Sequence, residues 1–259
     1  MTLQDVKCFL LDMDGTFYLG NELIEGSLEF IDKVLASGRD FMFLTNNSSH
    51  NASFYVQKLA RMGLTIDRSR VMTSGEAACE KLNALYPGKR AFVLGNEFLV
   101  EEFHEAGIPV DQENPEIVVI GFDTTLTYRK MQDVCDFVRA GLPYIATHPD
   151  FNCPTETGFM PDIGAIMAFI EASTGRRPDL VIGKPNTGIV EAVLRRTGLK
   201  VGELAMVGDR LYTDIETGLR SGMLSILVMS GETTEAMLAD SPTKPDLKFE
   251  RLSDMIPLL

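Results

Sequence analysis

Two aspartates, separated by one methionine, directly follow the first apolar run of the chain. Asp12 and Asp14 project to the same side of an extended backbone, and Gly15 allows a sharp turn immediately afterwards. Two carboxylates this close are costly to ionise together unless a cation neutralises them or they share a proton. We favour a divalent cation, because Asp209 supplies a third carboxylate after a later apolar run.

The donor atoms indicate which cation this is. Carboxylate oxygens without a Cys/His cluster favour Mg²⁺ over zinc, and Mg²⁺ commonly binds one or two carboxylates together with waters and a substrate phosphate. Beside such a cation, Asp12 is suited to attack phosphorus. Asp14 is then suited to protonate the leaving alkoxide and to deprotonate the water that hydrolyses the acyl phosphate. The pair therefore predicts phosphoryl-transfer chemistry.

Polar residues that follow other apolar runs are candidates for binding the phosphoryl oxygens. Thr45, Asn46 and Lys184 offer a hydroxyl, an amide and a fixed positive charge. Asp214, five residues after Asp209, is expected to orient water at the cation. The predicted set also contains one more phosphate ligand and two further supporting residues, which are Asn47, Gly15 and Asn186.

Each of these signals also has a plainer interpretation. Thr45, Asn46 and Asn47 suit a turn, and Ser48 or Ser49 suits a helix cap. Lys184 could be an ordinary surface lysine, and a Walker-type loop is excluded because Pro185 stands where that loop needs Ser or Thr. A single Asp-x-Asp or Gly-Asp pair is more often a solvated turn. Agreement among four such sites favours the catalytic interpretation.

Short apolar runs alternate with amphipathic stretches along most of the chain, which predicts an α/β fold with a parallel sheet and crossover helices. The runs lie at 8–11, 41–44, 71–73, 91–94, 117–120, 144–146, 180–182, 204–207 and 225–228. Because these are too many strands for one small sheet, we predict two domains. Residues 1–74 plus 181–259 form a Rossmann-like core, in which four strand ends meet at one crevice. Residues 75–180 form an inserted α/β cap domain.

Composition limits the partners of this chain. Its 259 residues carry a formal net charge of −13, with a pI near 4.7. That charge repels nucleic acid, whereas a cation and a lysine can reverse the field locally for a small phosphorylated metabolite. Four widely separated cysteines predict reduced thiols. We find no leader-like segment and no apolar run that could span a bilayer, and we expect a cytoplasmic protein.

Four ordered motifs cover the chain, namely Asp12-x-Asp14-Gly15-Thr16, Thr45-Asn46-Asn47, Lys184-Pro185 and Gly208-Asp209-x4-Asp214. Together they resemble the motifs of the haloacid-dehalogenase-like superfamily. The resemblance implies that Asp12 is nucleophile and metal ligand, that Asp14 is the acid/base with its backbone carbonyl on the metal, and that Asp209 is the third protein ligand. Thr45 and Lys184 would hold the phosphate.

The insertion between the second and third motifs resembles the α/β cap of subclass IIA, which contains 4-nitrophenylphosphatases and NagD-like phosphatases. Candidates for setting substrate specificity in this segment are His148, Asp150 and Asp162. Relatives often carry Asn where His148 stands, and a histidine beside a proline is more often structural than catalytic. The stretch from Phe17 to Gly26 is predicted to form a small flap beside the nucleophile.

The sequence therefore predicts a Mg²⁺-dependent phosphatase that acts on small phosphate monoesters such as sugar phosphates or nucleotides, with 4-nitrophenyl phosphate as an artificial substrate. Two alternatives remain open. A phosphomutase or phosphotransferase would use the same aspartyl phosphate, and a binding module could keep the fold without turnover. A dinucleotide-dependent oxidoreductase is disfavoured because no Gly-x-Gly-x-x-Gly follows the first strand. The oligomeric state is left open, with a homodimer as one option.

Overall fold

The computed structural model of this chain describes residues 2–155 and 158–259. Within these ranges the strands are β1 (Cys8–Leu11), β2 (Tyr18–Leu19), β3 (Glu22–Leu23), β4 (Asp40–Thr45), β5 (Val71–Thr73), β6 (Ala91–Leu94), β7 (Ile117–Ile120), β8 (Tyr144–Ala146), β9 (Asn152–Thr155), β10 (Gly158–Pro161), β11 (Leu180–Val181), β12 (Leu204–Gly208), β13 (Leu224–Val228) and β14 (Leu247–Phe249). The α-helices in the same ranges are α1 (Ser27–Ala36), α2 (Ala52–Arg61), α3 (Ser74–Leu85), α4 (Glu97–Glu105), α5 (Tyr128–Arg139), α6 (Ile163–Thr174), α7 (Gly188–Thr197), α8 (Glu216–Ser221) and α9 (Glu235–Asp240).

The chain divides into two compact units. Unit 1 consists of Met1–Thr45, Tyr55–Met72 and Lys184–Leu259. Unit 2 consists of Asn46–Phe54 and Thr73–Gly183. The segment 46–54 therefore belongs to unit 2, in contrast to the prediction that places it in the core. Residues 181–183 also belong to unit 2 rather than to the core.

The larger sheet has the strand order β14-β13-β12-β1-β4-β5. If the six strands of this sheet are numbered 1 to 6 along the chain and read from the β5 edge, their order is 3-2-1-4-5-6, which is the doubly wound Rossmann arrangement. Strand β1 pairs in parallel with β12 and β4, and β13 pairs in parallel with β12 and β14. The predicted α/β fold class is confirmed. The strand order reverses between β1 and β12, and ligands of such sheets bind beyond the carboxyl ends of the strands at this reversal.

Strands β1 and β12 consist entirely of buried residues, as expected for parallel strands covered on both faces. Aromatic side chains fill much of this interior. Phe9 packs edge-to-face on Phe30 of α1, with ring centroids 5.7 Å apart. Phe17 packs in the same way on Phe43 of β4, with centroids 4.9 Å apart. These contacts hold α1 and the segment after β1 against the sheet.

Unit 2 is built on a second parallel sheet with the order β11-β8-β7-β6. Buried side chains of these strands pack against α5 and α6, with Phe92, Val118 and Tyr144 among them. Strands β9 and β10 form a separate antiparallel hairpin. The prediction that the run near 182 belongs to the core sheet was wrong, because β11 pairs with β8 in this second sheet. A strand of two residues carries too little pattern to indicate which sheet it joins.

The segment after β1 forms a short hairpin, as predicted for the flap. Tyr18 of β2 pairs with Leu23 of β3, and Gly20 has a positive φ of 61° in the turn between them. The four cysteines all lie in the described ranges and form no disulfide bond. No helix in residues 2–155 and 158–259 is both long enough and apolar enough to cross a membrane.

Candidate active site

Three carboxylates gather where the strand order of the larger sheet reverses. Asp12 is the first residue after β1, and Asp209 is the first residue after the neighbouring strand β12. The backbone N–H of Asp12 donates to the carbonyl oxygen of Val207, at 2.9 Å, which joins the two strand ends. Asp214 completes the cluster, and one carboxylate oxygen from each aspartate lies within 4.8 Å of the others. Topology thus brings together acidic residues that lie almost 200 positions apart in sequence.

Asp209 is buried and held by hydrogen bonds from several sides. The Thr16 hydroxyl donates to Oδ1 at 3.2 Å, and the Glu232 N–H donates to Oδ2 at 2.7 Å. The Thr233 hydroxyl donates to the backbone carbonyl of Asp209 at 2.5 Å. Gly15 has a φ of +88°, and a Cβ at this position would lie 2.5 Å from Asp209 Oδ2. Glycine is therefore required at position 15 both by its backbone conformation and by the carboxylate beside it.

Asp214 reaches the cluster from a π-helical turn, Leu211–Ile215, which leads into α8. Such turns are rare and occur often at functional sites. The Arg210 N–H donates to Asp214 Oδ2 at 3.1 Å. A Cβ on Gly208 would lie 2.2 Å from Asp214 Cγ, so that the missing side chain at position 208 makes room for the carboxylate.

Lys184 lies between two of the three carboxylates. Its ammonium group donates to Asp12 Oδ1 at 2.5 Å, to Asp214 Oδ1 at 2.6 Å and to the Leu44 carbonyl oxygen at 3.2 Å. Burial alone would lower the pKa of Lys184, but the charges of Asp12 and Asp214 raise it above its ordinary value. The side chain is 3% exposed, and it therefore provides a fixed, buried positive charge beside Asp12.

Negative charge nevertheless remains in excess at this site. Burial raises the pKa of Asp12 to about 6, although Lys184 acts in the opposite direction. Burial, together with the charges of Asp12 and Asp214, raises the pKa of Asp209 to about 7. Arg210 is close enough for its charge to lower both pKa values, and its guanidinium group pairs with Glu232 at 3.0 Å. A hard divalent cation fits this all-oxygen donor set, because it would offset the cost of ionising carboxylates whose pKa values are raised by burial.

The raised pKa values predict that pH and Mg²⁺ act jointly on stability. Without metal, the folded state holds protons on Asp12 and Asp209 up to about pH 6 and 7, because burial raises their pKa values, whereas the unfolded chain releases them near 3.8, the ordinary pKa of an aspartate. The free energy of unfolding of the metal-free protein should therefore fall between pH 5.5 and 8, by on the order of 3 kcal/mol. Urea unfolding in EDTA measures this decline, and added Mg²⁺ should reverse it at pH 8.

The Asp209→Asn variant is the matched control for this measurement. It keeps the shape of the side chain and removes one of the two titrating groups. We expect a shallower decline with pH in EDTA and a smaller stabilisation by Mg²⁺ at pH 8. Identical pH profiles for the parent chain and this variant would show that Asp209 does not titrate in this way.

Asp14 lies outside the buried cluster. Its side chain is exposed, and its Oδ1 accepts a hydrogen bond from the Gly20 N–H at 3.3 Å. The backbone of the next residue, Gly15, donates to the Tyr18 carbonyl oxygen at 2.8 Å, and its own carbonyl accepts from Ser230 Oγ at 2.8 Å. Asp14 thus projects to solvent from a fixed backbone, between the end of β1 and the β2–β3 hairpin.

The predicted phosphate ligands occupy different settings. Thr45 is the buried last residue of β4, which neighbours β1. Asn46 begins unit 2, where its Nδ2 donates to Asp150 Oδ2 at 3.1 Å. Asn47 accepts from the N–H and the hydroxyl of Ser49, at 2.8 and 2.7 Å, in a local side-chain turn. Asn47 therefore forms the turn that is the plainer interpretation of its sequence. Asn186 is half-buried two residues before α7.

The candidate specificity residues lie close together within unit 2. One ligand atom from each of His148, Asp150 and Asp162 lies within 4.8 Å of the others. His148 is fully buried, with its Nε2 3.1 Å from Asp162 Oδ1 and its Nδ1 3.1 Å from Thr147 Oγ1. Asp162 also caps the N-terminus of α6. His148 and Asp162 therefore have structural partners, and a role in specificity stays a prediction.

Two contributors to the Asp209 setting were missed by the sequence analysis. One is Thr16, which lies inside the first motif but was given no role. The other is the loop 230–233 after β13, which provides the hydroxyl and backbone donors described above. Gly231 in this loop also stands where a Cβ would lie 2.0 Å from Asp209 Oδ2. The loop carried the same signal as the other strand ends, because polar residues and a glycine directly follow an apolar run.

Comparison with known proteins identifies the family. Residues 9–109 match a model described as haloacid dehalogenase-like hydrolase, and residues 181–255 match a HAD-hydrolase-like model. The 5'-nucleotidase YutF of Bacillus subtilis strain 168 is 33% identical over 257 residues, which cover 99% of this chain and 100% of that protein. The acid sugar phosphatase of Staphylococcus aureus strain MRSA252 is 35% identical over 255 residues, which cover 98% of each protein.

Solved structures agree with this assignment. The crystal structure of 4-nitrophenylphosphatase from Thermotoga maritima superimposes with a TM-score of 0.96 at 47% identity and covers 98% of each chain. NagD from Escherichia coli K-12 gives a TM-score of 0.89 at 30% identity, over 96% of this chain and 98% of that one. These similarities confirm the resemblance that the four motifs indicated. The chain belongs to the haloacid dehalogenase-like hydrolases, in the subclass of 4-nitrophenylphosphatases and NagD, and is a phosphatase of that family.

Proposed function

We propose that the chain is a Mg²⁺-dependent phosphatase that hydrolyses small phosphate monoesters through an aspartyl phosphate on Asp12. The observation that carries this proposal is the contact of the buried Lys184 ammonium with Asp12, at 2.5 Å, inside a cluster of three carboxylates. A nucleophilic carboxylate must be ionised, and the adjacent ammonium favours the ionised form. The cluster lies at the reversal of a doubly wound sheet, where such folds bind ligands.

The residues that would hold Mg²⁺ are Asp12, Asp209 and the backbone carbonyl of Asp14. When bound, the cation supplies positive charge that neutralises the carboxylates and the phosphoryl group. Asp214 binds Lys184 and the Arg210 N–H in this structure, and we assign it the role of positioning that lysine. Thr16 and the loop 230–233 fix Asp209 through the hydrogen bonds described above.

Phosphoryl transfer then proceeds between side chains of this chain and the substrate. A carboxylate oxygen of Asp12 attacks phosphorus, and the bond from phosphorus to the ester oxygen breaks. Asp14 gives its proton to that leaving oxygen, then takes a proton from the water that hydrolyses the acyl phosphate. Lys184 and Thr45 stabilise the charge on the phosphoryl oxygens. The exposed position of Asp14 suits this role, since it must reach both the leaving group and solvent.

The relatives support a small substrate. Their names describe a 5'-nucleotidase, an acid sugar phosphatase and a 4-nitrophenylphosphatase, which are phosphatases with different substrates. We propose a small phosphorylated metabolite for this chain as well, and cytoplasm as its location. A net charge of −13 argues against a nucleic acid polymer as substrate.

Phosphate release tests this proposal. The purified protein is incubated with and without Mg²⁺ against 4-nitrophenyl phosphate, nucleoside monophosphates and sugar phosphates. We expect release from 4-nitrophenyl phosphate only when Mg²⁺ is present, because the site needs added positive charge. If ³¹P NMR shows that the phosphoryl group moves to a second sugar hydroxyl without release of phosphate, the protein is a mutase. Ligand-induced stabilisation without any turnover would indicate a binding module.

A further inference from the structure

We propose that Lys58 is a specificity-determining residue whose ammonium group binds a second anionic group, a carboxylate or a phosphate, on the leaving group of the substrate. This inference rests on the proposed function, and it concerns the side of the site where the alcohol departs. It predicts that the enzyme prefers phosphate monoesters with a further negative charge over equally sized neutral ones.

Lys58 has an unusual setting for a lysine of such an acidic chain. It lies on α2, half-buried, and its Nζ is 3.9 Å from the centroid of the Tyr18 ring. Across residues 2–155 and 158–259, no carboxylate forms an ion pair with it. The aromatic ring holds the ammonium by a cation–π contact, which leaves its N–H donors available for an anion.

Tyr18 connects this ammonium to the reacting carboxylates. The Tyr18 carbonyl accepts the Gly15 N–H, so that the ring projects from backbone tied to the residue after Asp14. Tyr18 also pairs with Asp14 itself in an isolated β-bridge. Burial lowers the pKa of Lys58, and the Asp14 charge opposes it. Lys58 thus contacts the ring of the residue whose backbone pairs with Asp14, and the effect of the Asp14 charge on its pKa agrees with that location.

The role proposed for Asp14 indicates which part of the substrate lies near Lys58. A general acid must lie beside the oxygen that it protonates, and that oxygen belongs to the leaving group. A cation near Asp14 is therefore on the leaving-group side. The other buried cations of the site are already engaged, because Lys184 contacts two carboxylates and Arg210 pairs with Glu232. Lys58 can offset the repulsion between Asp14 and a second anionic group on the substrate.

Three aryl phosphates test this inference, and the first two of them match in shape. They are 3-carboxyphenyl phosphate, its neutral 3-carbamoyl analogue and 3-phosphonophenyl phosphate, whose phosphonate cannot be hydrolysed. We expect the wild-type protein to favour the two anionic esters over the carbamoyl ester in kcat/KM. In Lys58→Met this preference should fall about tenfold, which corresponds to ~1.4 kcal/mol, and mostly through KM. Lys58→Arg should retain it. The size of the carboxylate and phosphonate effects shows which anion fits better.

Lys33→Met, an exposed lysine on α1, is the matched control and should leave the preference unchanged. Thermal melting checks that each variant is folded. If the wild-type protein shows no preference for the anionic esters over the carbamoyl ester, the inference is overturned before any variant is measured. An equal loss on anionic and neutral esters in Lys58→Met also overturns it, because that result indicates a structural role. No hydrolysis of any ester, including 4-nitrophenyl phosphate, refutes the proposed function and this inference with it.

Discussion

Replacing Asp12 with asparagine is expected to abolish phosphate release while the chain stays folded. The substitution keeps the size of the side chain but removes the ionised oxygen that attacks phosphorus. We expect turnover to fall by roughly three orders of magnitude or more, as for other nucleophile deletions. The fold should tolerate the change because Lys184 keeps its second carboxylate partner, Asp214, at 2.6 Å. Phosphate release from 4-nitrophenyl phosphate with saturating Mg²⁺ measures the loss.

Asp32→Asn is the matched control for this experiment, because Asp32 is an exposed residue of α1. It should retain full activity. Acid quenching of the parent protein during turnover of a labelled substrate should trap the phosphorylated chain. The same quench of the Asp12→Asn protein should give no phosphorylated chain. Near-normal turnover by a folded Asp12→Asn protein, with mass spectrometry showing no reversion to aspartate, would falsify the assignment of Asp12 as nucleophile.

Much of this site is predictable from sequence because parallel strands align their carboxyl ends. Asp12 and Asp209 each follow a fully buried apolar run, and such runs form neighbouring strands on both sides of the reversal. Gly15 and Gly208 stand in the same two motifs. In the structure, a carboxylate occupies the space where each of them lacks a side chain, which explains why glycine is found there. Local sequence therefore contains the identity of these residues and the end of the sheet on which they lie.

Sheet membership was not predictable in the same way. The run before Lys184 has the composition of a core strand, yet β11 pairs with β8 of the second sheet, and unit 1 resumes only at Lys184. Pairing depends on contacts between segments far apart in the chain, and a short strand has no pattern that selects its partner. The assignment of 46–54 to the core failed for a similar reason, because Asn46 directly follows β4 but its side chain bonds to Asp150 of unit 2.

The hydrogen-bond partners of each side chain were equally hidden. Asn46 and Asn47 are adjacent amides with the same predicted role, but one bonds to a residue 104 positions away and the other closes a turn on Ser49. Conversely, the ion pairs of Lys184 follow from its charge once three carboxylates are known to converge. Charge and strand position are thus readable from sequence, whereas the choice among amide partners is made by tertiary packing.

Replacing Lys184 with methionine is expected to reduce both catalysis and stability. The phosphoryl oxygens would lose a positive charge, and we expect kcat/KM to fall by about 100-fold or more. The variant would also leave Asp12 and Asp214 without their ammonium partner in a buried site, which costs roughly 3–5 kcal/mol when one member of a buried pair is removed. Steady-state kinetics with 4-nitrophenyl phosphate and urea unfolding measure the two losses separately.

The double variant Lys184→Met/Asp214→Asn separates these two effects. Removing one carboxylate together with the lysine should recover part of the lost stability, because less unpaired charge is buried. It should not recover activity, since the positive charge beside Asp12 is still absent. Lys33→Met again serves as the control for loss of an exposed lysine. Unchanged kinetics in a folded Lys184→Met protein would refute a role for Lys184 in phosphate binding. Recovery of activity in the double variant would instead mean that Lys184 acts only by neutralising Asp214.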